Sequence, residues 1–310
     1  MFTPLALIAG LLILILGAES LVRGASALAL RLGVTPLVIG LTIVAFGTST
    51  PELAVSLKSA IAGNADIALG NVVGSNIANI GLILGLTALV RPVGVQSQMV
   101  KRDIPLMLFS TLLFCGLLSD GGLSRLDGAL LASMLIAFLA MSYLFDRQQA
   151  TKVEETSRPL PPLLSMLLVA LGIGMLVGGG ALFVDGAVAL ATQLGMSELL
   201  IGLTIVAIGT SMPELITSVV AARRGESDIA IGNLVGSNLF NLLGILGITA
   251  LIQPINASVP AMDLLVMVTL ALLLLPLAWS GLRIGRREGA LLLLCYLIYL
   301  SYLILSAQSV

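Results

Sequence analysis

The sequence predicts an all-α integral membrane protein of ten transmembrane helices, arranged as two inverted five-helix repeats with broken helices at a midplane site. Hydrophobic residues make up 58% of the 310 residues and charged residues only 10%, and the mean hydropathy is +1.13. A soluble core of this size cannot bury so much apolar surface. The stretch GLTIVAFGTSTPE at 40–52 returns almost unchanged as GLTIVAIGTSMPE at 202–214. The chain therefore consists of two related halves, both predicted to lie in a membrane.

Ten apolar segments, each near the roughly 20 residues that a spanning helix needs, divide equally between the halves. They cover about 4–30, 36–61, 67–90, 101–118 and 124–145, then about 163–193, 198–222, 228–252, 261–281 and 288–306. A charged, proline-rich segment separates the two groups and is predicted to be a cytoplasmic linker. The predicted organisation is a first repeat at 1–145, a linker at 146–162 and a second repeat at 163–310, with duplicated cores at 40–92 and 202–254.

Basic residues predict the orientation. If both termini are external, about thirteen Lys and Arg residues fall on the cytoplasmic side, and only Lys58 and Arg125 fall outside. Because each half has an odd number of helices, the second half then enters the membrane from the opposite side. Glu52 and Glu214 consequently lie on helices of opposite direction. Secondary transporters with inverted repeats place their substrate site near the midplane, between the halves.

The two glutamates are the strongest candidate site residues. Each follows Thr-Ser-x-Pro inside an apolar run, where an unpaired charge costs at least about 2.5 kcal/mol. The preceding prolines, Pro51 and Pro213, have no N–H and interrupt the helical hydrogen bonds. A broken turn in hydrocarbon is tolerated where it lines a cavity or meets a ligand. A purely structural buried carboxylate is the alternative, but it does not explain why the arrangement occurs twice.

Around each broken turn the sequence supplies only oxygen ligands. The predicted set comprises freed carbonyls at Ala45 and Ala207, hydroxyls of Thr48, Ser49, Thr210 and Ser211, and carboxylates of Glu52 and Glu214. Ca²⁺ takes about six to eight oxygens, whereas zinc or copper sites use His or Cys. The chain has no histidine and only two cysteines. The site is therefore predicted to bind a hard cation such as Ca²⁺, and no cofactor is predicted.

The downstream helix of each repeat carries further polar side chains. Ser75 and Asn79 are four residues apart, as are Ser237 and Asn241, so each pair lies on one helical face. Closely spaced glycines on the first of these helices allow a neighbouring helix to approach. The amides are therefore predicted to join the carboxylates, the alternative being ordinary hydrogen bonding between helices.

The motif pair GTS-x-PE and GN-x-x-GSN stands twice, at 47–52 with 70–76 and at 209–214 with 232–238. The chain resembles the cation/Ca²⁺ antiporter superfamily over nearly its whole length, and is most similar to the prokaryotic sodium/calcium exchanger branch. The resemblance implies ten helices with external termini. It implies ion ligands at Ala45, Thr48, Ser49, Glu52, Ser75, Asn79, Ala207, Thr210, Ser211, Glu214, Ser237 and Asn241. One departure is Asn241, where some relatives, including potassium-dependent exchangers, have Asp.

The predicted function is exchange of Ca²⁺ for Na⁺ by alternating access in a prokaryotic plasma (inner) membrane. H⁺ is the alternative counter-ion, although the resemblance favours Na⁺, since proton/calcium relatives tend to carry a GNA-x-E motif. An intramembrane hydrolase using the paired glutamates as acid and base is the alternative from another class. Opposed duplicate helices favour the antiporter, so no enzyme activity is expected. Beyond the bilayer no obligatory protein partner is indicated, and the net charge of −1 argues against nucleic acid.

Overall fold

The computed structural model describes residues 3–147, 160–194 and 207–308, which are almost entirely helical. The helices are α1 (Thr3–Leu32), α2 (Pro36–Thr48), α3 (Thr50–Ile61), α4 (Ala65–Val90), α5 (Met99–Asp120), α6 (Arg125–Arg147), α7 (Pro162–Gln193), α8 (Ala207–Thr210), α9 (Met212–Arg224), α10 (Ser227–Ile252), α11 (Ala261–Trp279) and α12 (Arg286–Gln308). Two short strands, β1 (Val93–Gly94) and β2 (Arg283–Ile284), pair antiparallel.

Eight described helices are long and apolar enough to cross a membrane, and α2 with α3 forms a ninth span that bends by 47°. For these nine spans the sequence-based boundaries agree with the structure to within two residues. The chain is thus a multi-pass helical membrane protein, as predicted. The predicted span at 198–222 lies partly outside the described residues, which include only its α8 and α9 portion. Most of the predicted linker at 146–162 also lies outside them.

Prolines and glycines set several helix ends. Pro36 opens α2 in the first turn, where a missing N–H costs no helical hydrogen bond. At the other end of a helix, Gly225 follows α9 with φ of 88°, a left-handed conformation that glycine adopts without strain. These local signals explain why boundaries could be predicted from sequence.

Helices α4 and α10 form the centre of the molecule. Within their apolar stretches 78% and 83% of the residues are buried, against 22–39% for α1, α5, α6, α7, α11 and α12. A helix that is apolar on all sides yet largely exposed is suited to lipid. The duplicated motifs therefore lie on interior helices, and the outer helices present apolar side chains to the bilayer.

The first helices of the two halves, α1 and α7, run antiparallel in close contact. Gly10 lies beside Phe183, and Gly24 lies beside Val169, so the numbering rises along one helix and falls along the other. A Cβ added at Gly172 would stand 2.6 Å from the main-chain nitrogen of Leu21, far inside contact distance. Glycine is required there because it lets the two backbones touch.

The last helix of each half packs against the central helix of the other half. Helix α12 packs on α4, where Gly85 and Gly289 meet, and α6 packs on α10, where Gly128 and Gly247 meet. The strand pair β1–β2 connects the ends of the first contact, and an isolated bridge from Leu123 to Ile255 connects the second. Each central helix is therefore held by a helix from the other half of the chain.

Candidate functional site

Both glutamates lie just after a one-residue break in a helix. Ser49 separates α2 from α3 with φ −83° and ψ 6°, and Ser211 separates α8 from α9 with φ −87° and ψ 8°. Pro51 and Pro213 then occupy the first turns of α3 and α9. The predicted broken helices are present, and each break directs a hydroxyl and a carboxylate into the protein interior.

Each broken helix donates a hydrogen bond to the carboxylate of the other. Ser49 Oγ donates to Glu214 Oε1 at 3.0 Å, and Ser211 Oγ donates to Glu52 Oε1 at 3.4 Å. Both carboxylates are about 1% exposed. The fold therefore brings together two acidic side chains that are 162 residues apart in sequence.

The two carboxylates have no countercharge within the described part of the chain. No Lys or Arg there forms a salt bridge with either, and the second oxygen of each, Oε2, has no hydrogen-bond partner. Ionised carboxylates buried in this way are costly unless a cation or proton neutralises them. The arrangement suits a site that binds cations reversibly.

Thr48 brings a further hydroxyl from the same break. Its Oγ1 is fully buried and lies 3.0 Å from Asn233 Oδ1, 3.3 Å from the carbonyl of Ala45 and 3.5 Å from Ser237 Oγ. The prediction that the Ala45 carbonyl is freed is wrong, because the N–H of Ser49 donates to it at 3.0 Å. Pro51 lies six residues after Ala45. The N–H that proline lacks would have donated to the carbonyl of Gly47, four residues before it. A second lone pair of the Ala45 oxygen stays available to a ligand.

Asn79 and Asn241 are buried with unused polar atoms. Both are about 1% exposed; the Oδ1 of Asn79 and both side-chain polar atoms of Asn241 have no partner among the described residues. Each lies in a π-helical stretch, Asn79–Leu84 in α4 and Phe240–Ile245 in α10. Such stretches are frequent at functional sites. A bound ion or water molecule would satisfy these buried amides.

The remaining predicted residues occupy the same helices with fewer described contacts. Ser75 is buried in α4, Thr210 is half-buried at the end of α8, and Ala207 is the first residue of α8. Among the described residues, the carboxylates accept hydrogen bonds from Ser49 and Ser211 and not from Ser75. The side chain of Ala207 lies outside the described set.

Comparisons with known proteins identify the family. The sodium/calcium exchanger protein family matches residues 2–144 and 164–305. The chain belongs to this family. The putative antiporter CaxA of Alkalimonas amylolytica is 43% identical over 96% of this chain and 97% of its own, and the inner membrane protein YrbG of Escherichia coli (strain K12) is 40% identical over 96% and 95%. A solved structure of the sodium-calcium exchanger NCX_Mj superposes with a TM-score of 0.86 at 32% identity, covering 97% of this chain and 98% of that one.

Sequence reasoning missed two asparagines beside the site. Asn71 Nδ2 donates to the main-chain oxygen of Glu52 at 3.1 Å and to Ser56 Oγ at 2.8 Å. Asn233 Nδ2 donates to the main-chain oxygen of Glu214 at 3.5 Å and to Ser218 Oγ at 3.0 Å. The available signal was their recurrence in both repeats together with the two serines, four residues after each glutamate.

A small cavity of about 50 Å³ reaches the site from one side. Ser49 lines it together with Phe46 and Phe240, whose ring centroids are 5.7 Å apart. This volume has room for a few water molecules but not for a larger ligand. Apart from Ser49 and Thr50 the lining is apolar, so the cavity offers few hydrogen-bond partners to water.

Proposed function

We propose that this protein is a secondary active antiporter that exchanges Ca²⁺ for Na⁺ across the membrane by alternating access. The main observation in its favour is the pair of buried carboxylates, one from each half of the chain. Each accepts a hydrogen bond from a serine of the opposite broken helix, and each has one oxygen without a partner among the described residues. The proposed ligands are Glu52, Glu214, Thr48, Thr210, Ser49, Ser211, Ala45, Ala207, Asn79, Asn241, Ser75 and Ser237. Family membership and the likeness to NCX_Mj, named as a sodium-calcium exchanger, support it.

Charge balance explains why such a site exchanges ions instead of leaking them. With Glu52 and Glu214 ionised, the empty site carries about two negative charges in a low-dielectric interior. Enclosing that charge without a cation is strongly unfavourable, whereas one Ca²⁺ or two Na⁺ neutralise it. Only a loaded site can therefore pass through the enclosed state between the two faces. Ca²⁺ and Na⁺ compete for the same oxygens, so movement of one is coupled to return of the other.

Alternating access requires a site that both membrane faces can reach, and an inverted repeat provides one. Antiparallel packing of α1 and α7 supports opposite entry of the two halves, as do the exchanged contacts of α6 and α12. The proposed organisation is a repeat at 1–145, a linker at 146–162 and an inverted repeat at 163–310. Ten spans with both termini external follow from it.

The proposed location is the plasma (inner) membrane of a prokaryote, with the linker in the cytoplasm. The excess of Lys and Arg in the connections assigned to the cytoplasm supports this orientation. The relative YrbG is named as an inner membrane protein.

A proton is the second candidate for the counter-ion. A carboxylate oxygen also binds a proton, and the Oε2 atoms of both glutamates have no partner among the described residues. The neutral oxygens of Asn79 and Asn241 favour Na⁺, because a metal ion takes several oxygens whereas a proton needs one. The hydrolase alternative has no support from the matched relatives, which are named as antiporters or exchangers where an activity is given.

Flux in proteoliposomes tests the proposal. Vesicles loaded with Na⁺ and diluted into Na⁺-free medium containing radioactive Ca²⁺ should accumulate Ca²⁺, and vesicles with equal Na⁺ and an acid interior should not. Protein-free vesicles and a Na⁺ ionophore control for leak. Uptake driven by the pH gradient alone would assign H⁺ as the counter-ion. Absence of uptake under both gradients, with correctly inserted protein, would reject antiport.

A further inference from the structure

Asn233 connects the two broken helices through one buried side chain. It lies on α10, fully buried, next to Gly232, where a Cβ would stand 2.8 Å from the main-chain oxygen of Leu37 in α2. Its Nδ2 donates to the main-chain oxygen of Glu214 and to Ser218, both on α9. Its Oδ1 faces Thr48 at the end of α2. The close contact of α10 with α2 makes this three-way junction possible.

The direction of these hydrogen bonds is fixed by chemistry. The main-chain oxygen of Glu214 can only accept, so the amide atom facing it must be the donor Nδ2. Asn233 Oδ1 must then face Thr48, and because this oxygen can only accept, the Thr48 hydroxyl must donate to it at 3.0 Å. The single hydroxyl hydrogen of Thr48 therefore points to Asn233 Oδ1.

Without Asn233 the hydrogen would have another acceptor. The carbonyl of Ala45 lies 3.3 Å from Thr48 Oγ1, in the usual geometry of a threonine that bonds back to its own helix. Turning to it would occupy the second lone pair of that carbonyl and rotate the Thr48 lone pairs. Two of the proposed ligands would lose accessible oxygen lone pairs together.

We propose that Asn233 is a positioning residue: it draws the Thr48 hydrogen to itself and so keeps the oxygens of Thr48 and Ala45 open to the transported cation. This inference rests on the proposed function and adds a residue outside the proposed ligand set. The first repeat repeats the donating half of this arrangement, since Asn71 donates to the main-chain oxygen of Glu52 and to Ser56. Its recurrence indicates that the arrangement belongs to the site.

A double-mutant cycle between Asn233→Leu and Thr48→Val tests the inference, with the half-saturating Ca²⁺ concentration and the maximal rate of Na⁺-driven uptake measured for each variant. Each single variant should raise the half-saturating concentration about fivefold, the effect of one hydrogen bond. Because Asn233 acts through Thr48, the double variant should show about the same increase as the larger single one. A purely structural Asn233 would lower the maximal rate and leave the half-saturating concentration unchanged.

Ser218→Ala provides a milder second variant, which decides the question if Asn233→Leu does not insert. It removes one acceptor that anchors the amide, so it should raise the half-saturating concentration about twofold in the wild-type background and not in Thr48→Val. The matched control is Ser110→Ala in α5, which also removes a buried serine hydroxyl, but one that donates within its own helix to the main-chain oxygen of Leu106. It should leave the half-saturating concentration unchanged.

The outcomes separate the two proposals. Independent effects in the Asn233 and Thr48 cycle, giving an increase of about 25-fold in the double variant, would overturn the positioning role while leaving antiport intact. An unchanged half-saturating concentration in Asn233→Leu and Ser218→Ala would do the same. Absence of Na⁺-driven uptake by the wild-type protein would instead reject the proposed function, and the positioning role with it.

Discussion

Replacing Glu52 or Glu214 with glutamine removes one of the two charges while keeping the side-chain shape. The serine hydroxyls that reach these residues, at 3.4 Å and 3.0 Å, can still donate to the amide oxygen of glutamine. Folding and insertion should therefore persist. The free Oε2 becomes an NH₂ group that presents hydrogens to the cation. Loss of one partner from a buried charge pair costs about 3–5 kcal/mol, which corresponds to a fall in Ca²⁺ affinity of at least about 100-fold.

Calcium binding to the purified protein, by equilibrium dialysis, and Na⁺-driven flux in proteoliposomes measure this loss. Gel filtration and thermal unfolding check that each variant is folded. Asp66→Asn is the matched control, because it also removes a carboxylate but lies exposed at the start of α4, and it should leave Ca²⁺ affinity unchanged. Ca²⁺ affinity within about threefold of wild type, with normal flux, in either glutamine variant would refute the two-carboxylate site.

Three further predictions concern topology, charge movement and packing. A cysteine placed in 146–162 should be labelled by an impermeant reagent only from the cytoplasmic side, and external labelling would reverse the orientation. If three Na⁺ exchange for one Ca²⁺, as the family resemblance implies, each cycle moves one net charge. The driving force for Ca²⁺ uptake should then change by about 2.3 kcal/mol for each 100 mV of clamped membrane potential. Uptake that does not depend on the potential would indicate exchange of two Na⁺ for one Ca²⁺. Gly236→Ala should lower the free energy of unfolding by about 1–3 kcal/mol, because its Cβ would lie 2.6 Å from the main-chain oxygen of Leu41. Gly116→Ala is the control and should not, because no described atom lies within 4 Å of its Cβ. Equal thermal unfolding temperatures of the two variants would contradict this packing.

Local patterns in the sequence determined much of this architecture. Nine spans were predicted to within two residues, because hydrophobic length, proline and glycine act over a few residues. The breaks beside Glu52 and Glu214 follow from prolines one residue before each glutamate. The duplication identified both copies of the site without any knowledge of how they meet.

Tertiary structure decided the contacts within the site. Ser49 holds Glu214 and not Glu52 of its own helix, although Glu52 is only three residues away. Asn233 was not predicted as a site residue, because its contacts form only where three elements meet: α2, α9 and α10. The Ala45 carbonyl kept its helical partner, against expectation, because the helix continues through Ser49 N–H before it breaks. Which polar atoms pair depends on how helices far apart in the chain pack, and local sequence does not specify that packing.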